Sequence, residues 1–208
     1  MENLSKSKLA IILSKLKLFS NANIGLEQYP TDSEIASDLL WNAYMNNEII
    51  HKEITDLGCG TGILGIGCLL LGAKKVNFVE IDKNAITILK KNLDDLNIDK
   101  NKYKIYNNDI NQDNLKIKTD IIIQNPPFGS KNKHADKLFL EKAFTLSNII
   151  YSFHLSKTKN FIFKFSEDND YKVTHYYNYN FPLKKTMKQH TKRILRIDVT
   201  AFRLERIK

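Results

Sequence analysis

The 208-residue sequence predicts an α/β fold with a mostly parallel sheet covered on both faces, and three features carry that expectation. Short apolar stretches of strand character alternate with longer stretches of helical periodicity through the middle of the chain. A glycine-rich turn, Gly58-Cys59-Gly60-Thr61-Gly62, follows directly on an early strand, where open parallel sheets bind nucleotides. Towards the C-terminus the alternation stops, and two strand-like stretches with no helix between them predict an antiparallel hairpin closing the sheet edge.

The elements follow in order. Leu4 to Leu18 places Leu9, Ile12, Leu13 and Leu16 at helical spacing, predicting an amphipathic first helix that ends at Asn21 to Gly25. Thr31 and Glu34 stand at capping-box spacing, so a second helix is expected from about Asp32 to about Met45. Strands are expected at Glu53 to Leu57, Lys75 to Ile81, Tyr103 to Tyr106, Asp120 to Gln124 and Phe161 to Phe165. Helices are expected at Leu64 to Leu71, Ala85 to Leu96 and Asp136 to Tyr151. The hairpin arms are Tyr171 to Asn180 and Ile194 to Leu204, with Pro182 and a basic linker between them. No repeat or linker divides the chain, so residues 1–208 read as one domain with 1–47 as an N-terminal helical extension within it.

Composition narrows the function classes. Ile121 to Ile123 and Phe161 to Phe163, among the longest apolar stretches, fall far short of the roughly 20 residues that span a bilayer. Met1 to Leu18 scatters lysines among apolar residues, unlike a secretory leader. Cys59 and Cys68 have no further cysteine beside them, and His51, His134, His154, His175 and His190 show no paired metal spacing, so no metal site is expected. His154 reads as packed or hydrogen-bonded. A reducing cytoplasm is the expected compartment. The formal net charge of +9 points to a partner rich in negative charge, nucleic acid above all.

Two loops carry chemistry. In Asp56-Leu57-Gly58-Cys59-Gly60-Thr61-Gly62 the glycines allow a tight turn and close backbone approach to a ligand, and Glu80, about 20 residues on, suits ribose hydroxyls. The spacing is G-x-G-x-G rather than the dinucleotide G-x-G-x-x-G, and Asp56 suits a cationic ligand better than a phosphate, which favours a sulfonium cofactor over a nicotinamide. Asp82 reads as the N-cap of the next helix. Asp109 stands where a side chain can reach an adenine amine, and it also reads as a turn residue. The second loop, Asn125-Pro126-Pro127-Phe128-Gly129, leaves the sheet directly after an apolar strand, stiffened by two prolines that fix φ and lack amide donors. An exocyclic amine is a poor nucleophile because its lone pair is delocalised. Acceptors at the Asn125 side-chain oxygen and the Pro126 carbonyl would favour a pyramidal nitrogen, and Phe128 would stack on the base.

Four segments make the resemblance closer: LEQYPT at Leu26 to Thr31, NPPFGSKNK at Asn125 to Lys133, DKLFL at Asp136 to Leu140 and YSFH at Tyr151 to His154. Together they resemble methyltransferase-like protein five and its archaeal relatives, class I enzymes that methylate N6 of one adenine in small-subunit ribosomal RNA. The resemblance implies a Rossmann-like seven-stranded methyltransferase sheet, mostly parallel, with an antiparallel C-terminal hairpin and an N-terminal helical lid. It implies S-adenosylmethionine as cofactor, with Gln28, Thr31, Asp56, Gly58, Cys59, Gly60, Thr61, Gly62, Leu64, Glu80, Asp109 and Asn125 around it. Asn125, Pro126, Pro127 and Phe128 form the implied catalytic motif. It also implies a small zinc-containing activator protein that adds a strand beside Tyr103 to Tyr106. One departure is Gln189, where the family has an aromatic residue before the histidine that is His190 here.

Lys131, Lys133 and Lys137, with Lys184, Lys185, Lys188, Lys192, Arg193 and Arg196, suggest a path for the RNA backbone. Related loops also serve guanine N2 in ribosomal RNA, adenine N6 in DNA and glutamine in release factors, and a noncatalytic RNA-binding assembly factor is a further alternative.

Overall fold

A computed structural model describes residues 4–19, 29–112, 115, 117–128, 135–183 and 195–207. Helix α1 (Lys6–Ser14) and α2 (Ser33–Met45) precede β1 (Glu53–Leu57), α3 (Ile63–Leu70), β2 (Lys75–Glu80), α4 (Lys83–Asp95) and β3 (Tyr103–Asn107). There follow β4 (Ile121–Gln124), α5 (Ala135–Leu146), β5 (Ile149–Leu155), α6 (Lys159–Glu167), β6 (Tyr171–Leu183) and β7 (Leu195–Arg206). The seven strands form one sheet in the order β3-β2-β1-β4-β5-β7-β6. β1 to β5 pair in parallel, whereas β7 runs antiparallel to both β5 and β6. The chain reverses its strand order on either side of β1, which opens a crevice at the carboxyl ends of β1 and β4.

The run Ile121-Ile122-Ile123 is apolar at every position because both faces of β4 are covered. Ile121 and Ile123 join Ile54 and Phe78 in packing against Leu13, Leu39, Leu40 and Ile66 of α1 to α3 and Leu89 of α4. Ile122 joins Leu57, Val79, Ile150 and Phe202 on the opposite face, under Leu140 and Phe144 of α5 and Ile162 of α6. Among the described residues no helix is long and apolar enough to cross a membrane.

Several elements depart from the sequence patterns. Phe161 to Phe165 is not a strand but the middle of α6, and the fifth parallel strand is Ile149–Leu155, part of which was expected as the end of a helix running to Tyr151. Helix α5 stops at Leu146, where the Ser147 hydroxyl sits 2.7 Å from the Asp120 carbonyl and 3.0 Å from the Ile149 carbonyl. β5 is buried on both faces, and its Tyr151-Ser152-Phe153-His154-Leu155 alternates apolar and polar residues with the period of a strand, a signal that the helical reading running on to Tyr151 passed over. Helix α1 ends at Ser14, short of Leu18, and the Lys17 amide then donates to Asn92 Oδ1 at 2.8 Å. Helix α2 is capped by Asp32, whose carboxylate accepts from the Glu34 and Ile35 amides, and not by Thr31, whose hydroxyl is used elsewhere. Pro182 lies within β6 rather than in the linker, on the edge strand where a missing amide breaks no ladder. The expected helix end at Asn21 to Gly25 lies outside the described residues.

Candidate active site and cofactor cavity

At the carboxyl ends of β1, β2 and β4 a cavity of about 400 Å³ is bounded by the glycine loop, Glu80, the turn at Asp109, Asn125 to Phe128 and residues of α5. The loop owes its shape to its glycines. Gly58 takes φ of +66°, and a β-carbon there would lie 2.8 Å from the Phe139 ring. Gly62, at φ of +94°, is the N-cap of α3 and has no side chain with which to cap it. Asp56 supplies the cap from the end of β1: its buried Oδ2 accepts the Gly65 amide at 2.8 Å. Burial pushes the Asp56 carboxyl up to about 7, with the Gly65 amide opposing and the nearby Glu80 charge adding to the rise. Asp56 therefore both shapes the loop and faces the cavity.

Glu80 is buried at the end of β2 and accepts three backbone amides, Gly60 through Oε2 at 2.8 Å and Ile81 and Asp82 through Oε1 at 2.9 Å each. Burial raises its carboxyl, while these amides pull it down. A carboxylate offers about four lone-pair sites. Glu80 thus fixes the loop to the neighbouring strand and keeps capacity for a further donor, rather than presenting both oxygens to a ligand. Asp82 caps α4 through the Asn84 amide, as its position predicts. Asp109 lines the cavity and makes a turn, accepting from the Asn111 amide and side chain through Oδ1.

Asn125 ties its loop to the segment that leads into α2. Its Nδ2 donates to the Thr31 hydroxyl at 2.9 Å, although the two residues stand 94 apart in sequence. Its Oδ1 is buried and accepts no hydrogen bond among the described residues. An orphaned amide oxygen in a buried position is costly unless a ligand satisfies it. Pro126 and Pro127 line the same cavity, and the Phe128 ring is braced edge-on by Phe181 of β6, with centroids 6.4 Å apart. Cys59 is no candidate nucleophile, because burial and the Asp56 and Glu80 carboxyls push its thiol well up. His154 is fully buried, with Nε2 2.7 Å from Ser152 Oγ and Nδ1 3.6 Å from Asp136 Oδ2. Burial lowers its pKa, with Asp136 opposing, and His154 is not among the residues that line the cavity.

The cavity also has walls that motif reading does not reveal. Leu138 and Phe139 of α5 line it, as do Phe19, Tyr29 and Ile81. Asn92 of α4 donates to the carbonyls of both Thr61 and Lys17, tying the glycine loop to the segment after α1. The placement of Leu138 and Phe139 inside DKLFL and of Tyr29 inside LEQYPT gives a hint from sequence. Gln28, Gly129, Lys131, Lys133, His134, Lys184, Lys185, Lys188, Gln189, His190, Lys192 and Arg193 lie outside the described residues.

Residues 30–147, which hold both loops, match the methyltransferase small domain family. An uncharacterized protein of Methanocaldococcus jannaschii is 38% identical over 98% of this chain and 95% of its own length. The rRNA N(6)-adenosine-methyltransferase METTL5 of Danio rerio is 32% identical over 92% of this chain and 94% of its own. The chain belongs to the methyltransferase-like protein five family. A Pyrococcus horikoshii crystal structure described as a candidate RNA methyltransferase is 43% identical, covers 98% of both chains and superposes with a TM-score of 0.89. The protein is thus an S-adenosylmethionine-dependent methyltransferase, and its seven-stranded sheet is the methyltransferase form of the Rossmann-like fold. The residues present suit that cofactor: a cavity of about 400 Å³ opens onto a glycine cradle and is lined by the carboxyls of Asp56 and Glu80.

Proposed function

We propose that the protein methylates the N6 amine of an adenine in RNA, with small-subunit ribosomal RNA as the substrate. The observation that carries this reading is Asn125, whose amide nitrogen is held by Thr31 while its buried oxygen stays without a donor beside the cofactor cavity. An exocyclic amine supplies the two hydrogens such a site lacks. The zebrafish relative, named as an rRNA adenosine N6 enzyme over almost the whole chain, supports the choice of adenine in RNA.

In this reading Asn125 Oδ1 accepts one amine hydrogen and the Pro126 carbonyl accepts the other. Both contacts favour a pyramidal nitrogen and strengthen as positive charge develops on it. Phe128, braced by Phe181, stacks on the base and sets the plane in which the amine is offered. S-adenosylmethionine, when bound, supplies a methyl group on a sulfonium, so no protein nucleophile is required. The ammonium product is strongly acidic, and its proton leaves through Asn125 or solvent without a dedicated base. Catalysis rests mainly on orientation. The target base must be unpaired or flipped to reach Asn125.

Gln28 and Thr31 complete the proposed cofactor site with the glycine loop, Glu80 and Asp109. β3 is one of the two edge strands of the sheet, with Tyr103, Ile105 and Tyr106 half-buried, and a small zinc-containing activator would add its strand there.

The test is transfer of a labelled methyl group to small-subunit ribosomal RNA, matched DNA and release-factor protein, followed by digestion and mass spectrometry. N6-methyladenosine from RNA is the expected product. Label in N2-methylguanosine, in DNA or in glutamine would replace the substrate while keeping the fold and cofactor, and RNA binding with no label in any substrate would favour an assembly factor.

A further inference from the structure

Helix α6 carries a pattern that core packing does not require. Between Leu155 and Ser166 every charged residue is a lysine, Lys157, Lys159 and Lys164, and three phenylalanines alternate along the helix. The helix buries only Ile162 and Ser166, one turn apart. Phenylalanines at this spacing therefore fall on both of its flanks. On one flank Phe161 and Phe165 stack with rings 5.3 Å apart and 9° from parallel, and Phe161 remains 43% exposed. On the other, Lys159 lies 3.3 Å above the ring of Tyr176 on β6, itself 47% exposed and edge-on to Phe163. The two exposures matter because they leave aromatic surface in contact with solvent on both flanks, Tyr176 under the Lys159 ammonium and Phe161 stacked on Phe165, the ring that Lys137 overlies.

This surface adjoins the active site. β5 lies next to β4, whose carboxyl end delivers Asn125, and α6 starts four residues after β5 ends. The Lys137 ammonium of α5 sits 5.3 Å over the Phe165 ring, while the neighbouring Leu138 lines the cavity. Lysines and exposed rings thus run from the cavity mouth across α6 to β6.

We propose that the α6–β6 surface is a docking platform for the single-stranded segment of RNA that flanks the target base. Unpaired bases stack on Phe161 and Tyr176, and Lys137, Lys159 and Lys164 neutralise the adjoining phosphates. The inference rests on RNA being the substrate. Stacking is available to any base, so the platform holds unpaired RNA without selecting its sequence, and the choice of nucleotide is left to the pocket around Asn125. Duplex RNA, whose bases are already stacked on each other, is a poor occupant.

The experiment compares wild type with Phe161→Ala, Tyr176→Ala and the double variant. It uses anisotropy of a labelled single-stranded RNA of about ten nucleotides and methyl-transfer kinetics on the full RNA substrate. Cofactor affinity and thermal unfolding check that each variant is folded. Each single substitution is expected to weaken single-strand binding about tenfold and to raise KM for RNA while kcat at saturation stays within about twofold. Tyr176→Phe, which keeps the ring, is expected to bind like wild type. Folded variants that bind and methylate RNA as wild type does overturn the platform and leave RNA methylation standing. A wild-type enzyme that transfers no methyl to any RNA overturns the substrate reading itself. Loss of binding in Tyr176→Phe equal to that in Tyr176→Ala also counts against stacking, because the hydroxyl would then be the contact.

Discussion

The contact between Thr31 and Asn125 explains how one amide can be aimed at a substrate. A primary amide offers an acceptor and two donors, and only an amide turned with its oxygen to the cavity accepts an amine hydrogen. In this structure the Thr31 hydroxyl accepts from the nitrogen, which leaves the amide oxygen without a protein partner among the described residues. Asn125→Ala is expected to lower kcat at least 100-fold, the scale on which a transition-state contact of this kind operates, with cofactor affinity changed only a few-fold. Thr31→Val keeps the shape but leaves Asn125 Nδ2 unpaired, and a fall in kcat of roughly 10- to 100-fold is expected. Thr31→Ser should retain most activity. Equal turnover by the valine and serine variants in single-turnover assays would show that Thr31 does not orient the amide.

Asp56 makes a second residue-scale prediction. Burial pushes the Asp56 carboxyl up to about 7 in the folded protein, whereas the unfolded chain releases its proton near the ordinary aspartate value of 3.8. Between these values the folded state binds more protons, so the stability contributed by this group is complete below the lower value and is lost as pH rises to the upper one. His154 works in the opposite sense. Its folded pKa is lowered, so its contribution falls as pH drops below the ordinary histidine range. Asp56→Asn retains an acceptor for the Gly65 amide and removes only the carboxyl titration. Thermal melts from about pH 5 to 7 should therefore show wild type losing stability relative to this variant. Parallel curves would mean that Asp56 titrates in its ordinary range.

At the scale of elements, the end of the sheet opposite the cavity is held by a buried ionic cluster. Glu48, just after α2, accepts from Arg203 of β7 through both oxygens and from the Tyr151 hydroxyl of β5 at 2.5 Å. Removing Glu48 leaves the buried Arg203 with Glu205 as its remaining carboxylate partner, so Glu48→Ala should cost about 3 kcal/mol in denaturant unfolding, the low end for a broken buried pair. Cofactor affinity in the folded fraction should not change, because none of these side chains lines the cavity.

The elements also show what the sequence makes legible. Gly58 to Gly62 and the two prolines after Asn125 constrain their own backbone, so both loops were readable locally, as was the Asp82 cap. β5 and α6 were not. The first begins in an apolar stretch continuous with the preceding helix, so its short Tyr151 to Leu155 alternation was overridden, and the second alternates like a strand because its phenylalanines serve two flanks rather than one core. Thr31 matched a capping pattern but was drawn into a contact with Asn125, leaving Asp32 to cap α2. Phe139 and Asn92 belong to the site only through tertiary packing, which no local spacing records.

For the molecule as a whole, the net charge of +9 makes ionic strength a probe of where RNA lies. Each lysine that neutralises a phosphate on a single strand steepens the plot of log affinity against log salt by about 0.7. With roughly four such contacts, RNA affinity should fall on the order of 50-fold between about 50 and 200 mM salt. Binding of the cofactor, in a cavity enclosed by glycine backbone and buried carboxyls, should change far less over the same range. Charge content alone does not separate the lysines along α5 and α6 from those at Lys184 to Arg193. Substitution does: Lys137→Gln and Lys159→Gln should each flatten the slope by about 0.7 if the RNA backbone crosses α6. An unchanged slope in the double variant, with affinity still strongly salt-dependent, would place the phosphate contacts on the basic segment between the two hairpin arms.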